Sequence, residues 1–211
     1  MYLVCDGMGG AAAGEIASSL AVDEMMRLLT DRDTETQLPE LIDQAIAAAN
    51  QAIYSRAQAN QKLNGMGTTM VALVVEERHV RLINIGDSRC YRLRAGHLEQ
   101  ISLDHSLVDE QVRLGRMTPA EALRSPLRNV ITRALGTQSR VTPDIFDLEA
   151  EPGDLFLLCS DGLTRELADA KIESLLGAAV PLGGLCSSLV DAANHAGGGD
   201  NITCLLVRAK G

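Results

Sequence analysis

Four aspartates constrain this chain more than any other feature. Three close apolar, strand-like runs: Met1-Tyr2-Leu3-Val4-Cys5-Asp6-Gly7, Val80-Arg81-Leu82-Ile83-Asn84-Ile85-Gly86-Asp87 and Leu155-Phe156-Leu157-Leu158-Cys159-Ser160-Asp161-Gly162. The fourth, in Gly199-Asp200-Asn201-Ile202-Thr203, precedes its strand. Carboxylates at strand ends beside tight glycine turns are how a β-scaffold gathers hard oxygen donors, which suit Mg²⁺ or Mn²⁺ better than zinc. A lone Asp-Gly is most often only a turn. Four such aspartates, far apart in sequence, become one site only in a fold that collects strand ends.

Bulk properties narrow the class. The 211 residues suit one domain. With 46% hydrophobic residues, 2% aromatics and no Trp, the core must be Leu, Ile, Val, Ala and Met. Few aromatics argue against base-stacking platforms. A net charge of −9 argues against a nucleic-acid backbone as partner. The acidic excess reads as solubility alone or, if acidic residues converge on metals, as in part ligand charge. The five cysteines, at 5, 90, 159, 186 and 204, form no Cys-x-x-Cys and have no His at zinc-finger spacing. Free thiols in a reducing cytoplasm are expected. No signal segment follows Met1, and the weakly apolar stretch Leu175–Val190 is broken by Pro181, Gly183 and Gly184. No membrane insertion is expected.

Along the chain, Tyr2–Cys5 reads as a strand end, and Ala11–Leu29 and Leu41–Ala57 as helices, with Pro39 at a first helical position. Thr30–Gln37 reads as a polar loop. From Thr68 the period changes to that of strands: Met70–Val75, Val80–Ile85, Arg89–Arg94 and His97–Ile101 form an antiparallel meander, with turns at Glu77-Arg78 and Ala95-Gly96. Ser106–Leu135 is helical in pattern, punctuated by Pro119 and Pro126, and carries Arg113, Arg116, Arg124, Arg128 and Arg133. Strands resume at Asp144–Leu148 and Asp154–Cys159, helices follow at about Leu167–Leu176 and Gly184–Ala196, and Asn201–Arg208 closes the chain as a strand. The pattern predicts two packed sheets flanked by helices.

Other chemistries fit less well. Asp6–Gly10 lacks the Lys and Ser/Thr of a phosphate-binding P-loop. Gly7, Gly9 and Ala12 fit dinucleotide spacing loosely, but Asp31 and Asp33 follow no strand. Ser160 has no Gly-x-Ser-x-Gly elbow. His79 and His97 fall near turns and read as solvated groups, and only His105, after Asp104, is kept near a site.

Asp6-Gly7-Met8-Gly9-Gly10 followed by Gly14-Glu15-Ile16-Ala17-Ser18 resembles a signature of the metal-dependent protein phosphatases of type 2C. Gly65-Met66-Gly67-Thr68-Thr69, Ile85-Gly86-Asp87-Ser88-Arg89, Asp104-His105-Ser106, Cys159-Ser160-Asp161-Gly162-Leu163 and Gly199-Asp200-Asn201-Ile202-Thr203 match further signatures in the same order. Asn129–Gly136 resembles the bacterial subgroup, and the resemblance covers essentially the whole chain.

The resemblance implies an α+β fold: an antiparallel β-sandwich flanked by helices on both faces (α-β-β-α), one domain over 1–211 with a small helical flap at about 106–135. It implies that Asp6 bridges two Mg²⁺ or Mn²⁺ ions, that the Gly7 carbonyl binds one of them, that Asp161 and Asp200 bind the other, and that Asp87 helps hold a third, weaker ion. Asp6, Asp161 and Asp200 would be the catalytic set. Gly67, Thr68 and Thr69 would be structural. Two divalent ions about 3.5–4 Å apart can activate a water for in-line attack on phosphorus. The implied reaction is hydrolysis of phosphoserine and phosphothreonine in proteins, opposing a Ser/Thr kinase, by a cytoplasmic monomer.

Two departures qualify this. Members carry an upstream strand with an Arg and an Asn-Glu/Gln-Asp motif, whereas this chain starts almost at Asp6. A bare sheet edge and a weaker phosphate grip are therefore expected. Many members also have a His where Ala11 stands. These departures leave as alternative a catalytically impaired or non-catalytic binding domain.

Overall fold

The computed structural model describes residues 1–30 and 37–210; Asp31, Asp33 and the rest of the expected polar loop between Thr30 and Gln37 lie outside them. In chain order the elements are β1 (Tyr2–Val4), β2 (Gly7–Met8), α1 (Ala11–Thr30), α2 (Leu38–Ala59), β3 (Gly67–Thr68), β4 (Met70–Glu76), β5 (His79–Ile85), β6 (Arg89–Arg94), β7 (His97–Gln100), α3 (Leu107–Arg113), α4 (Pro119–Arg124), β8 (Asp144–Glu149), β9 (Leu155–Cys159), α5 (Asp161–Thr164), α6 (Asp169–Leu176), α7 (Leu182–Ala196) and β10 (Cys204–Arg208). The fold is α+β, and the residues group into two compact units.

The first unit comprises Met1–Val4, Val71–Leu103 and Asp144–Gly211. It holds two four-stranded sheets, ordered β1-β4-β5-β8 and β10-β9-β6-β7. Successive side chains on a strand face opposite ways, so each strand serves two layers. Val4, Val71, Leu73, Val80 and Leu82 from the first sheet meet Cys90, Phe156 and Leu158 from the second in one buried cluster, which makes the pair a sandwich. The alternate residues Tyr91, Leu157 and Cys159 pack instead with Leu163, Ile172, Leu176, Leu185, Leu189 and Ala193 of the helices that follow β9. Covered on both faces, β9 is apolar and buried at every position, the pattern of a central strand rather than an alternating one.

The second unit comprises Cys5–Met70 and Asp104–Pro143. Its long helices α1 and α2 pack against each other, and both bury alanines: Ala13, Ala17 and Ala21 on one helix, Ala45 and Ala49 on the other. Small side chains let the two backbones approach closely. The two-residue strands β2 and β3 pair antiparallel, Gly7 with Thr68 and Met8 with Gly67.

The structure corrects three local expectations. The strands from Met70 onward are not one meander: β4 and β5 are neighbours in the first sheet, whereas β6 and β7 belong to the second. The chain changes sheet at Gly86-Asp87-Ser88, where Gly86 adopts φ 106°. Ser106–Leu135 is helical only at α3 and α4, after which Ser106 bridges Ile131 and Thr68 bridges Leu135. Pro126 has no N–H to give a helix and disfavours helical backbone at Ser125, which ends α4 in extended conformation. Finally, Asp161-Gly162 is not a turn but the start of α5. Among the described residues, no helix is long and apolar enough to cross a membrane.

Candidate metal centre

Within the first unit, β9 runs through Ser160 directly into Asp161, the first residue of α5. Ser160 is buried, and its hydroxyl is used twice: Oγ donates to the carbonyl of Asn201 (3.1 Å) and accepts from the amide of Thr203 (3.0 Å). Those bonds fasten the 200–203 segment beside the end of β9. Gly162 completes the fit, because a Cβ there would collide with the Asn201 carbonyl. The amide of Gly199 donates to Glu166 (3.3 Å), and Asn201 N–H caps the Asp200 carboxylate (2.8 Å). The loop that carries Asp200 is thus held at several points against α5.

The two carboxylates share one cation. Arg165, at the end of α5 and one helical turn after Asp161, forms an ion pair with Asp161 through Nη2, and its Nη1 donates to Asp200 Oδ2 at 3.0 Å. This arginine is the residue that sequence reasoning missed. The available signal was the i,i+4 spacing from Asp161, which places both side chains on one helix face.

Asp87 lies in the same unit, buried, in the turn after β5. The fully buried Asn84 braces that turn by donating to the carbonyls of Leu103 (2.8 Å) and Gly86 (3.4 Å).

Asp6 and Gly7 belong to the second unit. Asp6 is clamped by its backbone. Its amide donates to Thr69 Oγ1 (3.0 Å), and its carbonyl accepts from Thr68 Oγ1 (2.9 Å) and the Thr69 amide (2.9 Å). The expectation that Thr68 and Thr69 are structural therefore has a concrete form: they hold the Asp6 backbone. Burial, with the Asp6 charge adding to it, pushes the neighbouring Cys5 thiol up to about 12. Gly7 packs against Gly14 of α1, and a Cβ on Gly14 would stand 2.6 Å from the Gly7 carbonyl oxygen.

His105 is buried in this unit, with its Nε2 3.2 Å from Arg133 Nη1. A guanidinium can only donate, so Nε2 is the acceptor and the imidazole proton sits on Nδ1. His79 and His97 are exposed, as expected.

Among the described residues, no group of three or more His, Cys, Asp and Glu stands together as a ready metal cluster. Of the four aspartates singled out in the sequence, Asp161 and Asp200 converge on a common cation, and their donors are hard carboxylate oxygens. The thiols offer no alternative. All five are free, and burial raises Cys90 and Cys204 to about 12 and holds Cys159 well above the ordinary thiol value. A site with carboxylates and without thiolates fits Mg²⁺ or Mn²⁺ and not a thiolate zinc site.

A family model described as protein phosphatase 2C matches residues 1–190. The chain belongs to the protein phosphatase 2C family. The serine/threonine phosphatase stp of Listeria innocua is 39% identical over an alignment that covers 98% of this chain and 83% of that protein. The crystal structure of the Mycobacterium tuberculosis serine/threonine phosphatase PstP/Ppp superimposes with a TM-score of 0.91 at 38% identity, covering 99% of this chain and 88% of that one. A structure of the PstP catalytic domain in complex with two manganese ions matches with a TM-score of 0.85 at 38% identity, covering 97% of this chain and 85% of that one. The α+β architecture of this family member is therefore that of solved phosphatases, and its cofactor is Mn²⁺ or Mg²⁺.

Proposed function

We infer that this chain hydrolyses phosphoserine and phosphothreonine in proteins at a Mg²⁺ or Mn²⁺ centre. The carrying observation is that Asp161 and Asp200 converge on one cation in a chain whose relatives are serine/threonine phosphatases. Those relatives favour the enzyme over a non-catalytic binding domain.

Asp161 and Asp200 are assigned as metal ligands and, on the family pattern, so are Asp6, the Gly7 carbonyl and Asp87. Divalent ions, when bound, acidify a water and neutralise phosphoryl oxygens. The protein's own part is positioning. Ser160 spends its hydroxyl on the 200–203 segment and so serves as a brace, not a nucleophile. Thr68 and Thr69 fix the backbone of Asp6. Arg165 places a cation beside two of the carboxylates.

The substrates are phosphorylated proteins, in our reading those of a Ser/Thr kinase, and the enzyme acts as a cytoplasmic monomer, a location that its five free thiols favour. Residues 1–211 are taken as one phosphatase domain, with about 106–135 as its flap. The deciding assay is phosphate release from a phosphoserine or phosphothreonine peptide with Mn²⁺, with Mg²⁺ and after exhaustive EDTA treatment. Release only with added metal is expected. Release that persists after EDTA, or that is confined to small phosphate esters, would overturn the reading.

A further inference from the structure

Arg165 stands at an unusual place for a surface arginine. Its two terminal nitrogens are divided between two carboxylates from separate segments, Asp161 at the head of α5 and Asp200 on the loop before β10. Both contacts use Oδ2 atoms, the kind of oxygen that a hard cation requires. Helical side chains lean toward the N-terminus of their helix, so an arginine one turn after Asp161 is carried back toward it. The loop bearing Asp200 is pinned by Ser160, Glu166 and the close approach of Gly162, so it offers its carboxylate to the same guanidinium. Two carboxylates held this way would repel each other, and one guanidinium offsets much of that repulsion.

We propose that Arg165 is a built-in counter-ion for the metal site, one whose charge and hydrogen bonds compete with a divalent metal for Asp161 and Asp200. The inference rests on the assignment of those two residues as metal ligands. The guanidinium takes Oδ2 of both carboxylates, and its positive charge opposes a divalent ion placed on them. Arg165 therefore stabilises the metal-free protein and raises the metal concentration needed to load it. An arginine that merely buttressed the site would have the opposite effect, because its removal would loosen the ligands and weaken binding.

The sign of the change in affinity separates the two roles. Mn²⁺ is titrated calorimetrically into wild type, Arg165→Gln, Arg165→Lys and Asp161→Asn, and each protein is melted without metal. Both partners are partly solvated, so Arg165→Gln should bind Mn²⁺ about threefold to tenfold more tightly. It should also melt at a lower temperature than wild type when metal-free. Arg165→Lys, with a point charge in place of the fork, should fall between them. Affinity that is unchanged or weaker in Arg165→Gln overturns the proposal. If that variant does not fold, Arg165→Lys decides by the same sign. Asp161→Asn should lose the tight binding. If it binds Mn²⁺ like wild type, the ligand assignment itself is wrong, and the proposal falls with it.

Discussion

The guanidinium of Arg94 grips the carboxylate of Asp154 with two parallel hydrogen bonds, Nε to Oδ1 at 2.7 Å and Nη2 to Oδ2 at 2.6 Å. The Glu151 amide adds a third bond to Oδ2 at 2.8 Å, and Arg94 also reaches Glu151 (2.7 Å) and the Glu149 carbonyl (3.0 Å). One arginine at the end of β6 thus ties down the connection from β8, in one sheet, to β9, in the other. Asp154 is almost wholly buried, so an ionised carboxylate there depends on its partners.

Burial works to raise the Asp154 pKa, but the bonds from Arg94 and the Glu151 amide outweigh it and hold the carboxyl below its ordinary value. A depressed folded pKa gives stability that is present above the unfolded value and lost as pH falls through the folded one. Asp154→Asn should cost about 2 kcal/mol at neutral pH, and its deficit relative to wild type should narrow as the pH falls below the ordinary carboxylate range. Urea denaturation of both proteins at neutral and acid pH checks this. A deficit of the same size at both would show that ionisation is not what matters.

Gly14 lies inside α1, where Ala ordinarily stabilises a helix by about 0.5–1 kcal/mol. Here the sign should reverse. The added Cβ would stand 2.6 Å from the Gly7 carbonyl oxygen and 3.0 Å from the Met8 amide nitrogen, both backbone atoms with little room to move. Gly14→Ala should destabilise by about 1–3 kcal/mol through overpacking. It should also lower phosphatase activity, because Gly7 follows Asp6. A thermal melt showing stabilisation would refute the close approach.

Asn50 sits buried in α2 and ties in a distant segment: its Nδ2 donates to the Gln138 carbonyl (3.0 Å) and its Oδ1 accepts from the Gly136 amide (2.8 Å). Asn50→Leu leaves both backbone groups unsatisfied and should cost about 2–3 kcal/mol. Asn50→Asp keeps the acceptor but sets a carboxylate against a carbonyl, so it should not rescue. Denaturation midpoints of the two variants measure this, and a wild-type midpoint for Asn50→Asp would exclude the donor role.

Metal should bind the folded chain in preference to the unfolded one. At about 100 times Kd, one such site adds about 2.7 kcal/mol by mass action. The melting temperature should rise with Mn²⁺, and the rise should shrink in Asp6→Asn. Asp161→Asn should abolish activity, whereas Asp87→Ala should cost less at saturating Mn²⁺. An identical Mn²⁺ shift in wild type and Asp6→Asn would remove Asp6 from the ligand set. Equal loss in Asp161→Asn and Asp87→Ala would erase the difference between a tight and a weak ion.

Much of the local structure was legible because it is written in short-range chemistry. The strands β4 to β7 stand where short β-rich runs with tight joins placed them, and the hairpin turns carry positive φ at Glu77, Ala95 and Gly96. The helices α1, α2 and α7 follow from runs of helix formers, with boundaries moved by a few residues. Sheet membership was not legible. Leu82 and Cys90 lie in consecutive strands with similar patterns, yet they belong to different sheets and meet across the sandwich. Periodicity reports which face of a strand is apolar, not which strand lies beside it.

The sequence by itself determined the family, through glycines and aspartates whose spacing is local, and it determined the acidic, oxygen-rich character of the candidate metal ligands. Only the tertiary structure decided what each of those residues leans on. Asp6 is held by Thr68 and Thr69, more than sixty residues away in the chain. Asp161 and Asp200 meet on Arg165, which no motif marked. The physical reason is the short reach of the interactions that position a side chain. A hydrogen bond or an ion pair acts over a few ångströms, so its partners are set by the packing of strands and loops that are remote in sequence.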